Sequence, residues 1–111
     1  MITFCYASAL PKVSSLQLVT DSNSALTLNC TSTGSPALTV VWRKDGGLID
    51  FSTYTTSQII RNQLLSTYDN LLEIKANPSE ITGTYSCTIH DSLGRNSEPA
   101  AIQVEGTNAT K

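Results

Sequence analysis

Charge is scarce in this chain: Asp, Glu, Lys and Arg together make up 14 % of its 111 residues. Seven basic against nine acidic residues leave a net charge of -2 and a pI near 5.1, which excludes the basic footprint that nucleic-acid phosphates require. Apolar runs are only a few residues long, far below the roughly 20 that span a bilayer as a helix. Histidine is limited to His90, and the three cysteines, Cys5, Cys30 and Cys87, contain no Cys-x-x-Cys pair. The clustered ligands of a structural zinc site are therefore missing. So are a Gly-rich phosphate loop, a His-Glu-x-x-His, a carboxylate cluster suited to calcium and a Gly-x-Ser-x-Gly elbow. His90-Asp91 is a poor start for a hydrolase triad, because neighbours on a strand point to opposite faces. These absences predict a chain that is not an enzyme and uses neither cofactor nor metal.

Ser and Thr are abundant, 29 residues between them, and apolar residues make up 40 % with aromatics at 6 %. That balance favours strands and turns over exposed helices, and the size fits one core. The apolar residues alternate: Leu16 and Leu18; Leu26, Leu28 and Cys30; Leu38, Val40 and Trp42. Period 2 marks half-buried strands, and the breaks between them, 20–24 and 32–36, are rich in turn formers. A hairpin-like break at Lys44-Asp45-Gly46-Gly47 precedes a short strand over Leu48, Ile49 and Phe51. Residues 52–57, wholly Ser, Thr and Tyr, are β-prone but show no buried face and read as an edge or an exposed turn. Further strands are expected over 59–65, 70–76, 83–90 and 100–105, with one helical turn at most near 79–83. Seven or eight short strands without a helical period predict an all-β, two-sheet sandwich.

The anchor residues form a pattern: Cys30, Trp42, Leu72-Glu73-Ile74 and Gly83-Thr84-Tyr85-Ser86-Cys87. This resembles the immunoglobulin superfamily over residues 13–105, through its Cys, Trp, Leu-x-Ile and Gly-x-Tyr-x-Cys signature. The resemblance implies a Greek-key sandwich with Cys30 and Cys87 bridging the sheets, a link worth about 4 kcal/mol in loop entropy. It implies Trp42 packed on that bridge and Tyr85 as a tyrosine corner, its hydroxyl bonded to backbone. The stretch from Trp42 to Leu72 is short for a variable-type domain, and the last strand lacks a Phe-Gly-x-Gly bulge. An intermediate-set or C2-like domain, as in cell-adhesion molecules and receptor tyrosine kinase ectodomains, fits better. One departure concerns Ile81, where the family usually carries an Asp that pairs with Arg. Arg61 is accordingly expected to lack its usual partner, with Glu80 facing elsewhere.

Residues 1–12 read as a leader remnant or N-terminal extension, because the apolar start ends in a small-x-small triplet without a basic n-region. Residues 106–111 read as a polar tail or linker. The odd cysteine, Cys5, is either an idle thiol of that leader or a link between two chains. Asn29 and Asn108 lie in Asn-x-Thr sequons and are candidate glycan acceptors, Asn108 being in the better exposed segment.

Function is left to surfaces. The turn 91–96 sets Leu93 and Arg95 beside Gly94, a mixture found at interfaces and equally in plain hairpins. Phe51 and Tyr54 are candidate contact residues, against the plainer roles of core cover and lone surface aromatic. The edge over 48–57, whose one charge is Asp50, also suits strand addition by a second copy, giving a homodimer. The expected function is a non-catalytic, extracellular protein-binding module of a cell-surface adhesion molecule or receptor, acting by homophilic or heterophilic contact. The alternative is an intracellular module of a tandem muscle-scaffold protein, with its cysteines reduced.

Overall fold

Each alternating stretch becomes a strand. The computed structural model describes residues 10–20, 26–35, 37–49, 54–74 and 81–105. Within them run β1 (Lys12–Thr20), β2 (Leu26–Thr33), β3 (Thr39–Lys44), β4 (Gly47–Leu48), β5 (Tyr54–Asn62), β6 (Thr67–Ile74), β7 (Gly83–His90) and β8 (Ala100–Val104). They form two four-stranded sheets, ordered β1-β2-β6-β5 and β4-β3-β7-β8, and every pairing is antiparallel. The expected sandwich is thus present. Its layout lies between constant and variable types: β4 extends the second sheet beside β3, but for two residues, and β5 returns to the first.

Alternation decides the core. Leu28 and Cys30 on β2 and Leu72 and Ile74 on β6 meet Trp42 on β3, Tyr85, Cys87 and Ile89 on β7, and Val104 on β8 in one buried cluster. Cys30 and Cys87 are joined across the sheets, 57 residues apart in sequence. Trp42 is the registered neighbour of Cys87 and is itself buried. The Tyr85 hydroxyl donates to the Ile81 carbonyl at 2.7 Å, both residues being buried. Ile81 therefore serves the corner through its backbone while its side chain joins the core.

Gly83 opens β7 because the β3–β4 hairpin leans on it: an added Cβ would lie 2.8 Å from Asp45 Oδ2 and from Lys44 Cε. That hairpin turns through Asp45 and Gly46, both at positive φ, the conformation a two-residue Asp-Gly loop favours. Asp45 Oδ1 then accepts the Thr84 amide at 2.9 Å.

Three sequence expectations change. The strand expected over 59–65 is β5, which starts earlier at Tyr54 and ends at Asn62; 63–66 is a turn with Ser66 at φ 48°. The Leu48–Ile49–Phe51 strand shrinks to Gly47–Leu48, and Phe51 lies outside the described residues. Arg61 lacks the acid at position 81 but is paired from elsewhere: its Nε bonds Asp69 Oδ2 at 3.0 Å. The reason is a register shift between Ile60 and Asn62, which releases Arg61 from the ladder beside the β6 strand that carries Asp69.

Candidate functional site

The register brings three connections to one end of the sandwich. Lys12 faces Thr33, Asn62 faces Thr67 and Thr39 faces His90, so the start of β1, the β2–β3 connection, the β5–β6 turn and the β7–β8 turn share that end. Gln58 Nε2 on β5 donates to the Leu38 carbonyl at 3.2 Å and tethers the first sheet to the β2–β3 connection. Four leucines at this end, Leu10, Leu64, Leu65 and Leu93, are exposed, Leu64 to 95 %.

The β7–β8 turn is organised by one carboxylate. Asp91 Oδ1 accepts the amides of Leu93 at 3.0 Å and Arg95 at 2.9 Å; Asp91 Oδ2 accepts Arg95 Nε at 2.7 Å. The Gly94 amide donates to the Asp91 carbonyl, the Asp91 amide to the Arg95 carbonyl, and Gly94 sits at φ 82° where a side chain would be strained. Burial by itself would raise the Asp91 carboxyl, but these Arg95 and Leu93 bonds outweigh it and hold the group below the usual carboxylate range. Both oxygens are thus engaged inside the turn and Asp91 does not orient His90. Arg95, a candidate contact residue, pairs with Asp91 and keeps 29 % of its side chain exposed, close in the turn to the exposed Leu93.

The β5–β6 turn is held by a second polar side chain, Asn62, whose Oδ1 accepts the Leu65 amide at 3.2 Å. This projects Leu64 and Leu65 outward. The sequence reading placed both leucines in a strand and so missed them; the usable signal was Asn62, since Asn hydrogen-bonds its own downstream backbone in turns.

Tyr54 is not a surface aromatic. It is 7 % exposed, meets Tyr85 edge-on with ring centroids 6.2 Å apart, and the two hydroxyls lie 3.4 Å from each other. Burial, then that neighbouring hydroxyl, pushes the Tyr85 phenol well above its ordinary range. The inward face of the first sheet instead becomes polar toward the leucine-bearing end. Asn70, fully buried, donates to the Cys30 carbonyl and to Ser32 Oγ, both at 2.9 Å, and accepts Gln58 Nε2 at 2.7 Å. Between the sheet edges a cavity of about 290 Å³ is lined by Val40, Val41, Trp42, Leu48, Ile49 and Thr56.

Asn29 is half-buried on β2. Its Nδ2, the atom a glycan would occupy, donates to Asp69 Oδ1 at 3.2 Å, and Thr31 of the same sequon donates to that oxygen at 3.0 Å. Burial raises the Asp69 carboxyl, and the bonds from Asn29, Arg61 and Thr31 more than reverse this, leaving it lowered. Cys5 and Asn108 lie outside the described residues. Among the described residues no group of three or more His, Cys, Asp or Glu could hold a metal ion, and no helix is long and apolar enough to cross a membrane.

Comparison with known proteins accords with this geometry. A family profile described as "Immunoglobulin domain" matches residues 11–90. Roundabout homolog 1 of rat and of mouse is each 35 % identical over 80 residues, 72 % of this chain. The chain spans 4 % of the length of those relatives. Among solved structures, IgNAR antibody domain C1 superposes with TM-score 0.68 at 21 % identity, over 93 % of this chain and all of that one. Chicken CD1-1 follows the fold with TM-score 0.55 at 22 % identity, over 86 % of this chain and 34 % of its own.

Proposed function

Because this chain belongs to the immunoglobulin superfamily, we propose that it is a non-catalytic, extracellular protein-binding module of a cell-surface adhesion molecule or receptor. The observation that carries the reading is the leucine-bearing end of the sandwich. Leu93 and Leu64 are exposed on turns pinned by Asp91 and Asn62, so little ordering entropy is lost when a partner covers them. Exposed apolar tips on a rigid scaffold suit protein contact rather than chemistry. The inter-sheet bridge between Cys30 and Cys87 supports an oxidising, extracellular setting. A receptor tyrosine kinase ectodomain would use the same contact chemistry.

The test begins with intact mass of the chain secreted from a eukaryotic cell, with and without reduction and glycosidase. One internal bridge is expected. Binding to a panel of cell surfaces should then fall at least about tenfold in the doubly substituted Leu64→Asp, Leu93→Asp variant. Free thiols at Cys30 and Cys87 would overturn the extracellular assignment, and unchanged cell binding by the double variant would overturn the assignment of contact to this end.

A further inference from the structure

β5 is an outer strand of the first sheet, and it differs from the other three sheet edges in how little protects it. β4 is two residues long. β8 is five residues long and is flanked by Glu98-Pro99 and Glu105. β1 begins after Pro11 with Lys12, is bulged between Val13 and Ser15, and runs beside β8 of the opposite sheet. Short length, charge, proline, a bulge and a covering strand are the devices by which monomeric sheets avoid edge pairing.

Among the described residues β5 has none of them over its first seven positions. Tyr54-Thr55-Thr56-Ser57-Gln58-Ile59-Ile60 carries no charge, proline or glycine. Its only charge, Arg61, and its only register shift, between Ile60 and Asn62, come at the far end. Thr55 through Ile60 are exposed, Ile59 to 54 % and Ile60 to 57 %. Among the described strands β5 has only β6 as a substantial neighbour, so one row of its backbone N–H and C=O groups points away from β6.

We propose that β5 pairs antiparallel with β5 of a second copy, joining two first sheets into one eight-stranded sheet. This deepens the protein-binding reading above by naming one partner. The strand complements itself about a two-fold axis through Ser57. Thr55 of each copy then faces Ile59 of the other on the outer face, and Tyr54 faces Ile60 on the inner face. Side chains on one face alternate with period 2, so this register keeps like faces together. It sets Thr55 against Ile59, both β-branched, and the aromatic Tyr54 against the β-branched Ile60, pairs that favour cross-strand contact. It leaves Arg61 beyond the paired stretch, so no like charges oppose each other. A charged strand would gain nothing here, since β5 offers no charge before Arg61 for it to meet. A second copy meets the same neutral row with matching residues.

The full 111-residue chain, oxidised and carrying Cys5→Ser to remove links through that thiol, should be followed by sedimentation equilibrium up to roughly 1 mM. A monomer–dimer equilibrium is expected. Ser57→Lys and Ile59→Lys, both at exposed positions, should each weaken it at least about tenfold by facing the partner strand with charge. Gln17→Lys on the exposed face of β1 should leave it unchanged. Circular dichroism and thermal melts of each variant separate lost pairing from lost folding. A Ser57→Cys variant in the same background should form an interchain disulfide, because Ser57 faces its own mate. A monomer at every concentration overturns the proposal, as does a dimer indifferent to Ser57→Lys and Ile59→Lys. Either result leaves the cell-binding test of the leucine-bearing end intact, so the two readings fail separately.

Discussion

Asp69 and Asp91 give the fold an acid-sensitive component, because each carboxylate is held below its ordinary value near 3.8 by bonds made only in the folded chain. The unfolded state binds protons more readily at these groups, so they contribute stability above about pH 4 and lose it as pH falls toward and through their depressed values. Urea unfolding from pH 7 down to 2 should show this decline. Asp91→Asn should start less stable at neutral pH and lose less on acidification; an unchanged acid limb would remove Asp91 from the account. Asn70 is a different kind of residue. It satisfies the Cys30 carbonyl, Ser32 Oγ and Gln58 Nε2 from a fully buried position. Truncation leaves these partners unmatched, so Asn70→Ala should cost about 1–3 kcal/mol in urea unfolding. Ser32→Ala added to it should cost less than it does alone, since the two share one hydrogen bond. The sequence offered no sign of this network. Asn70 falls in step with the apolar residues of β6, and its neighbours come from β2 and β5, 38 and 12 residues away in sequence.

At the scale of the element, the legible features were those that repeat locally. Alternation placed β1, β2, β3 and β7, and Asp45-Gly46 placed the β3–β4 hairpin, because strand period and turn chemistry are properties of adjacent residues. The β5–β6 hairpin was misread for the same reason. Ile59, Ile60, Leu64 and Leu65 look like one apolar strand, yet the chain reverses after Asn62 and exposes the leucines. What decides between the two is the tertiary register, in which Asn62 must face Thr67. Leu64 has almost nothing to lose by becoming polar. Leu64→Ser should therefore shift folding stability by no more than about 0.5 kcal/mol, measured by urea midpoint at constant slope. A loss of 2 kcal/mol or more would mean that the leucine packs in solution against something, and would place that packing inside the monomer if it persists on dilution. Arg61 illustrates the other side of the register. Its bond to Asp69 compensates for the missing Asp at position 81, but with 56 % of the side chain exposed it adds little stability.

For the whole molecule, the signature residues matter because they come from both sheets and meet in one core. Cys30, Trp42, Leu72, Tyr85 and Cys87 lie on four strands, and two sheets of four strands each bury only one face against the other. Non-local pairing of this kind is entropically costly to assemble, so a covalent link between the sheets acts chiefly on the unfolded chain by shortening its free loop. For 57 residues of separation the loop model gives about 4 kcal/mol, a large share of the roughly 5–15 kcal/mol that holds a domain of this size together. The paired Cys30→Ala, Cys87→Ala chain should accordingly unfold at a lower urea concentration, with the difference extrapolating to about 4 kcal/mol. Its urea slope should rise, because an unfolded chain freed of the cross-link exposes more surface. A variant that loses less than about 1 kcal/mol would show that the core residues around the bridge hold the sheets together without it. A variant with no cooperative transition would show the opposite, that apolar burial here is too small to order the sandwich alone.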